Sequence, residues 1–295
     1  LIHLDSSASE ACQWRCPGII QIDELVYGRS ISIDSSENTL IIGTANGTVM
    51  TQSLVDSSYG AVLQPSGTGA LEISAIATGT DGVIWAVTGC DLRFLPPGDG
   101  GGALINWGEY QFCSSSSDKA TDILVNADDV IISTGANGVY VIEYNLSSNQ
   151  SQIGIQGITR WDSGNFLASN RITDLQMMGN QLLISTENAG ISRRDMATST
   201  WLSRWSTGNT LASNNVLGTS VSDGWLHVLA GNTLQSYEIS SGIFRAQETM
   251  PGLGLLDSAV SISSWPSGIG FRGPTNGMSI IIDSTGVMAM QHEDA

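Results

Sequence analysis

Short apolar runs recur along the chain. Each ends on a small or hydroxylated residue, and most lead into a turn containing Gly or Asn. They read Leu40-Ile41-Ile42-Gly43-Thr44 before Asn46-Gly47, Val83-Ile84-Trp85-Ala86-Val87-Thr88, and Val130-Ile131-Ile132-Ser133-Thr134 before Asn137-Gly138. They continue as Leu182-Leu183-Ile184-Ser185-Thr186 before Asn188-Ala189-Gly190, Trp225-Leu226-His227-Val228-Leu229-Ala230, and Ile269-Gly270-Phe271-Arg272-Gly273 before Asn276-Gly277. Their last residues are spaced by 44, 46, 52, 44 and 43 positions. A period of about 43 residues holds four strands of five or six residues with their connections.

The strands can be read inside one unit. Val216 to Val221 is followed by Asp223-Gly224, a turn pair that tolerates positive φ and matches strand twist. Trp225 to Leu229, Leu234 to Ile239 and Ile243 to Gln247 then alternate between turns at Gly231-Asn232 and Ser240-Ser241-Gly242. Asp81-Gly82 and Gly179-Asn180 repeat the first turn in other units. A single meander cannot bury both its faces, and stacking each sheet on the next does so. The expected fold is all-β: a β-propeller of four-stranded antiparallel blades, six in number, with seven as the alternative. Residues 1–28 fit the repeat poorly and are expected to supply a closing strand, with 29–295 forming the repeats of a single domain.

One stretch repeats closely. Arg160-Trp161-Asp162-Ser163-Gly164-Asn165-Phe166-Leu167-Ala168-Ser169-Asn170-Arg171-Ile172 returns 44 residues later as Arg204-Trp205-Ser206-Thr207-Gly208-Asn209-Thr210-Leu211-Ala212-Ser213-Asn214-Asn215-Val216, identical at eight of thirteen positions. Residues 167–175 together with 179–195 resemble the propeller repeat of sensor ectodomains in two-component regulators. Similar repeats occur in large secreted proteins of marine microbes. The resemblance is strong over about a third of the chain. It implies a propeller fold and an export route, and no catalytic motif. No membrane helix, kinase or DNA-binding region accompanies the repeats within the 295 residues.

Charge narrows the partners. The net charge is −17 and Lys119 is the only lysine. Phosphate backbones need clustered Lys and Arg, so nucleic acid is excluded, and an anionic membrane surface with it. No apolar run is long enough to span a bilayer. The chain starts at Leu1, which reads as the mark of a removed signal or upstream region, or of a piece cut from a longer array. Cys12, Cys16, Cys90 and Cys113 form no zinc pattern. Cys90 follows the second strand of its unit and Cys113 lies in the next inter-unit link, which places both at one end of the unit. A Cys90–Cys113 disulfide is expected, with Cys12–Cys16 as the remaining local pair. Asn46, Asn145 and Asn149 are sequons relevant to a glycosylating export route.

Candidate chemistry is sparse. His227 sits within a strand, and no Gly-x-Ser-x-Gly elbow accompanies it. Asp81, Asp128, Asp129 and Asp223 fall at hairpin turns, where Asp is favoured for conformational reasons. Asp34-Ser35-Ser36-Glu37-Asn38 lacks a calcium-loop pattern. No catalytic residue, metal or cofactor is expected. Trp161 and Trp205 occupy one repeat position, with Trp107 near it; they are read as wedges between blades or as a sugar-stacking platform. Arg160, Arg171 and Arg204 stand at the inter-unit links, residues 157–171 and 206–215, beside a third long link at 109–119. They are candidates for an acidic ligand. The expected function is a monomeric, non-catalytic extracellular or periplasmic module that binds a glycan or protein. The alternatives are a polysaccharide lyase or hydrolase and a ligand-sensing ectodomain.

Overall fold

The computed structural model describes residues 28–34, 39–53, 55, 59–63, 72–97, 107–114, 119–147, 152–222, 224–231, 233–249, 261–265, 268–272, 279–283 and 286–290. Sheet one contains β1 (Gly28–Asp34), β2 (Thr39–Thr44), β3 (Val49–Ser53) and β4 (Tyr59–Leu63). Sheet two contains β5 (Ala75–Thr78), β6 (Ile84–Thr88), β7 (Asp91–Leu95) and β8 (Gly108–Gln111). Sheet three contains β9 (Ala120–Asn126), β10 (Asp129–Thr134), β11 (Val139–Leu146) and β12 (Ile153–Trp161). Sheet four contains β13 (Ile172–Met178), β14 (Gln181–Thr186), β15 (Gly190–Asp195) and β16 (Thr200–Trp205). Sheet five contains β17 (Val216–Ser222), β18 (Trp225–Ala230), β19 (Thr233–Glu238) and β20 (Ile243–Thr249), and sheet six β21 (Ser261–Trp265), β22 (Gly268–Arg272), β23 (Ser279–Asp283) and β24 (Gly286–Met290). In every sheet the strands follow one another in chain order. The apolar anchors of the sequence are the second strands, β2, β6, β10, β14, β18 and β22. The segment 1–28 and the Cys12–Cys16 pair lie outside the described residues, apart from Gly28, which begins β1.

Where their side chains are described, the second strands are largely buried on both faces. Leu182, Leu183 and Ile184 are wholly buried, as are Val130, Ile131 and Ile132. This explains why they read as continuous apolar runs and not as alternating ones. The turns follow the expected chemistry at Gly82, Gly179 and Gly224, all at positive φ. Sheet three differs: there the left-handed position falls on Ala127, at φ 51°, ahead of Asp128, and Asp129 already belongs to β10.

The chain divides into two compact units, Leu1–Ile132 with Tyr140–Thr159, and Ser133–Val139 with Arg160–Ala295. In the first, one core lies between sheets one and two around Ile41, Val49, Ile76, Leu95 and Trp107. Another lies between sheets two and three around Trp85, Leu92, Ile132, Ile142 and Tyr144. Trp85 packs against Tyr144 with ring centroids 4.7 Å apart. The Tyr144 hydroxyl donates to Asp81 Oδ2 at 2.9 Å, so this turn residue also ties sheet two to sheet three. In the second unit the core between sheets four and five holds Leu183, Ile191, Trp205, Leu211, Val216 and Val228.

First strands of successive sheets lie side by side within each unit: β1 by β5 by β9, and β13 by β17 by β21. Strands β1, β13 and β17 carry a bulge near their starts. Just after the β13 bulge, Asp174 Oδ2 accepts from Thr219 N at 2.8 Å and Thr219 Oγ1 at 2.6 Å. The matching contact in the first unit uses a neutral group, with Thr78 N donating to Ser32 Oγ at 3.1 Å. Burial raises the Asp174 carboxyl to about 6, against the pull of the two Thr219 hydrogen bonds.

The folded state therefore holds this proton more tightly than the unfolded chain does. The associated stability is fully present below about pH 4 and is lost as pH rises through about 6. Asp174→Asn keeps an acceptor for Thr219 and removes the titration. Urea midpoints of the two proteins should converge below about pH 4, and the variant should be the more stable at neutral pH.

Candidate functional site

The thirteen-residue repeat is a hydrogen-bonded loop at the end of a fourth strand. Asn165 Oδ1 accepts from Asp162 N at 2.8 Å, and Asn209 Oδ1 accepts from Ser206 N at 2.8 Å. The same side chains donate through Nδ2 to Arg160 O at 3.2 Å and Arg204 O at 2.9 Å. Asn170 Oδ1 accepts from Ser163 N at 2.6 Å, and Asn214 Oδ1 from Thr207 N at 2.9 Å. Ser169 and Ser213 Oγ accept from Arg171 N and Asn215 N. Every identical polar side chain except the arginines thus serves its own loop.

The loops also join sheets. Gly138 N donates to Asn170 O at 3.0 Å and Gly190 N to Asn214 O at 2.9 Å. At Gly190 a Cβ would stand 2.1 Å from Trp205 O, and at Gly138 2.2 Å from Trp161 O. With φ at +82° and +83°, no other residue fits these turns without strain. On the far side, Ala168 N donates to Ser192 Oγ, and Ala212 N to Gln235 Oε1 at 2.8 Å. Ser192 and Gln235 are buried polar residues of the following sheet, and the loops satisfy them.

Trp161 and Trp205 are buried, 5% and 6% exposed. Trp161 meets Trp201 edge-on at 5.3 Å, with the Arg194 guanidinium 4.8 Å from its centroid. Trp205 leans on Tyr237 of sheet five at 5.0 Å, with Arg193 at 4.3 Å. In sheet two Phe112, just past β8, takes the corresponding place, whereas Trp107 stands at the start of that strand. Arg160 pairs with Asp162 at 3.1 Å and donates to Asn137 O; Arg171 pairs with Glu187 at 2.6 Å. Arg204 is exposed on β16. The links run over 112–119, 162–171 and 206–215; the first two start later than expected because β8 and β12 extend into them, and the third has the expected bounds.

One residue stands out against this background. Phe166 occupies the loop position that Thr210 holds in the next repeat, and it is half-exposed. Its ring stacks on Trp201 at 5.5 Å and 10°. Arg194 lies 5.2 Å from the same indole. Phe166 thus presents an open face on a stack fixed from below by Trp201, Trp161 and Arg194. Phe166 and Trp201 escaped notice in the sequence. The available signal was a difference between repeats: an aromatic ring at a position the loop architecture leaves free.

No family model matches the chain, and no curated protein matches it. Solved structures do. It is similar to the extracellular domain of the putative hybrid two-component system BT3049 from B. thetaiotaomicron, with a TM-score of 0.62, 14% identity, and coverage of 90% of this chain and 34% of that one. It is similar to the Cps50 (Swd1) β-propeller domain of Myceliophteria thermophila, with a TM-score of 0.58, 13% identity, and coverage of 86% and 81%. BamB from Moraxella catarrhalis gives 0.51, 12% identity, and coverage of 91% and 75%. The fold is a β-propeller. The chain spans about a third of the BT3049 ectodomain.

Elsewhere in the propeller, Cys90 and Cys113 form a disulfide with Cα atoms 5.0 Å apart. It fastens the turn between β6 and β7 to the link after β8. A cavity of about 490 Å³ lies beside it, bordered by Glu72, Ser74, Thr88, Asp91, Gln111 and Lys119 among others. His227 is half-buried on β18 with Nδ1 3.0 Å from Ser236 Oγ, and burial lowers its pKa. Asn46 and Asn145 are exposed, and Asn149 lies outside the described residues. Among the described residues no helix is long and apolar enough to cross a membrane.

Trp205→Ala should cost about 3–5 kcal/mol, since the ring fills the space between two sheets. Chemical denaturation of the variant checks this. A change within about 0.5 kcal/mol would mean that the ring carries no packing load.

Proposed function

We propose that this propeller is an exported, non-catalytic binding module, acting as a monomer, whose ligand is a glycan received on the Phe166 ring. The observation that carries the reading is the open Phe166 face stacked on Trp201 in a loop whose own architecture needs no aromatic there. A sugar ring has an apolar face that packs on an aromatic plane and hydroxyls that seek polar neighbours. Trp161 supports the stack from beneath, and Arg160 and Asp162 on the same loop supply donors and acceptors at its rim. Arg171 and Arg204 extend the polar surface along the links. A ring already fixed by its neighbours loses little freedom on binding.

Export to an extracellular or periplasmic space is supported by the Cys90–Cys113 disulfide, because such bonds persist in oxidising compartments. A second reading, the ligand-sensing ectodomain of a signalling protein, is favoured by the repeat resemblance in sheets four and five and by the fold likeness to the BT3049 extracellular domain. A protein ligand would use the same aromatic face.

The test is affinity electrophoresis and calorimetry against algal and bacterial polysaccharides, with assay for new reducing or unsaturated ends. Wild type should bind without generating ends. Phe166→Ala should bind about tenfold more weakly or worse, with unchanged thermal stability. Product formation would replace the binding module with an enzyme. Undiminished binding by the variant would remove Phe166 from the site.

A further inference from the structure

Sheet two breaks a rule that three other sheets keep. In sheets one, three and four the second strand ends in a threonine whose hydroxyl closes the following turn. Thr44 Oγ1 donates to Thr48 O at 2.9 Å, Thr134 Oγ1 to Gly138 O at 3.0 Å, and Thr186 Oγ1 to Gly190 O at 2.7 Å. Each also accepts a turn amide, from Thr48, Asn137 and Ala189 respectively. Thr88 holds the same position in sheet two. There the turn is shortened to Gly89-Cys90, with Thr88 paired directly to Asp91. The acceptor four residues on is therefore lost. Thr88 is 1% exposed, and its Oγ1 has no hydrogen-bond partner among the described residues. A buried hydroxyl left so is costly, and Thr88 is among the residues that border the cavity of about 490 Å³ beside the disulfide.

The charges around this cavity are specific. Lys119, the sole lysine of the chain, stands at its edge and meets Glu72 at 3.0 Å, an ion pair open to solvent on the lysine side. Asp91 borders the same space, with its carboxylate 3.7 Å from Arg93. Ser74, Gln111 and Ser114 add neutral hydrogen-bonding groups. Among the described residues the lining holds no aromatic ring and so no plane on which a sugar would stack. A simple anion would face Glu72 and Asp91, and a simple cation would face Lys119. A ligand carrying both charges matches both.

We propose that this cavity binds a small zwitterion of the α-amino-acid class. The ligand carboxylate engages Lys119, and its ammonium engages Glu72 and Asp91. The volume falls within the range of small-molecule sites. The site is independent of the Phe166 face, which belongs to the other unit.

The experiment is calorimetry and thermal-shift measurement on the whole chain with individual L-amino acids at millimolar concentration, alongside their methyl esters and N-acetyl derivatives. At least one free amino acid should bind and raise the melting temperature, with both blocked forms about tenfold weaker. Lys119→Ala should weaken the free amino acid about tenfold and leave its methyl ester unchanged. Lys119 is 71% exposed, so the variant should fold, and circular dichroism verifies that. Absence of binding by every free amino acid overturns the proposal. So does equal binding of free and blocked forms, or indifference to Lys119→Ala. Binding of an uncharged monosaccharide instead, undiminished in Lys119→Ala, also overturns it.

Discussion

The contact between a turn glycine and the backbone of the next link is the constraint on which the second unit depends. Gly190 can approach Trp205 O only without a Cβ, and its amide reaches Asn214 O only at that distance. The loop must then return on itself within ten residues, which Asn209 and Asn214 enforce by capping its free amides. That return drops Leu211 and Trp205 into the core between sheets four and five and presents Ala212 N to Gln235. Remove the glycine, and the tryptophan, the loop and the buried glutamine all lose their reason for being where they are. The same set stands at Gly138, Trp161, Asn165 and Asn170. Eight identities in thirteen positions are therefore the signature of a junction between sheets, not of a ligand site.

Much of this was legible in the sequence. The period, the second-strand anchors and the turn pairs are set by local chemistry: burial on two faces makes an unbroken apolar run, and a tight turn needs Gly or Asp. The Cys90–Cys113 bond followed from placing both residues at one end of a unit. Other features depend on neighbours distant in sequence and left no local trace. Asp174 looks like any strand aspartate until Thr219, 45 residues on, donates to it twice. Phe166 looks like a core residue until the loop turns it outward over Trp201. Thr88 ends its strand as the other anchor threonines do, and only the shorter turn leaves its hydroxyl without the usual acceptor.

Function, on this view, sits where repeats differ. Shared residues other than the arginines are occupied in building the junctions, so their side chains are already hydrogen-bonded or buried. Departures from the repeat are free of that duty. Phe166 replaces a threonine on an otherwise matching loop, and the Gly89-Cys90 turn replaces a longer one. An open aromatic face stands at the first departure, in one unit, and a cavity bordered by charged side chains lies beside the second, in the other.

Everything proposed for Phe166 requires that its loop be a rigid mount. Amide hydrogen exchange across 162–170 and 206–214 tests this directly. The amides of Asp162, Ser163, Ser206 and Thr207, held by asparagine side chains, should exchange as slowly as those of the flanking strands β13 and β16. Exchange at the rate of an unprotected loop would contradict the hydrogen-bonded junction, and with it a pre-ordered Phe166 face.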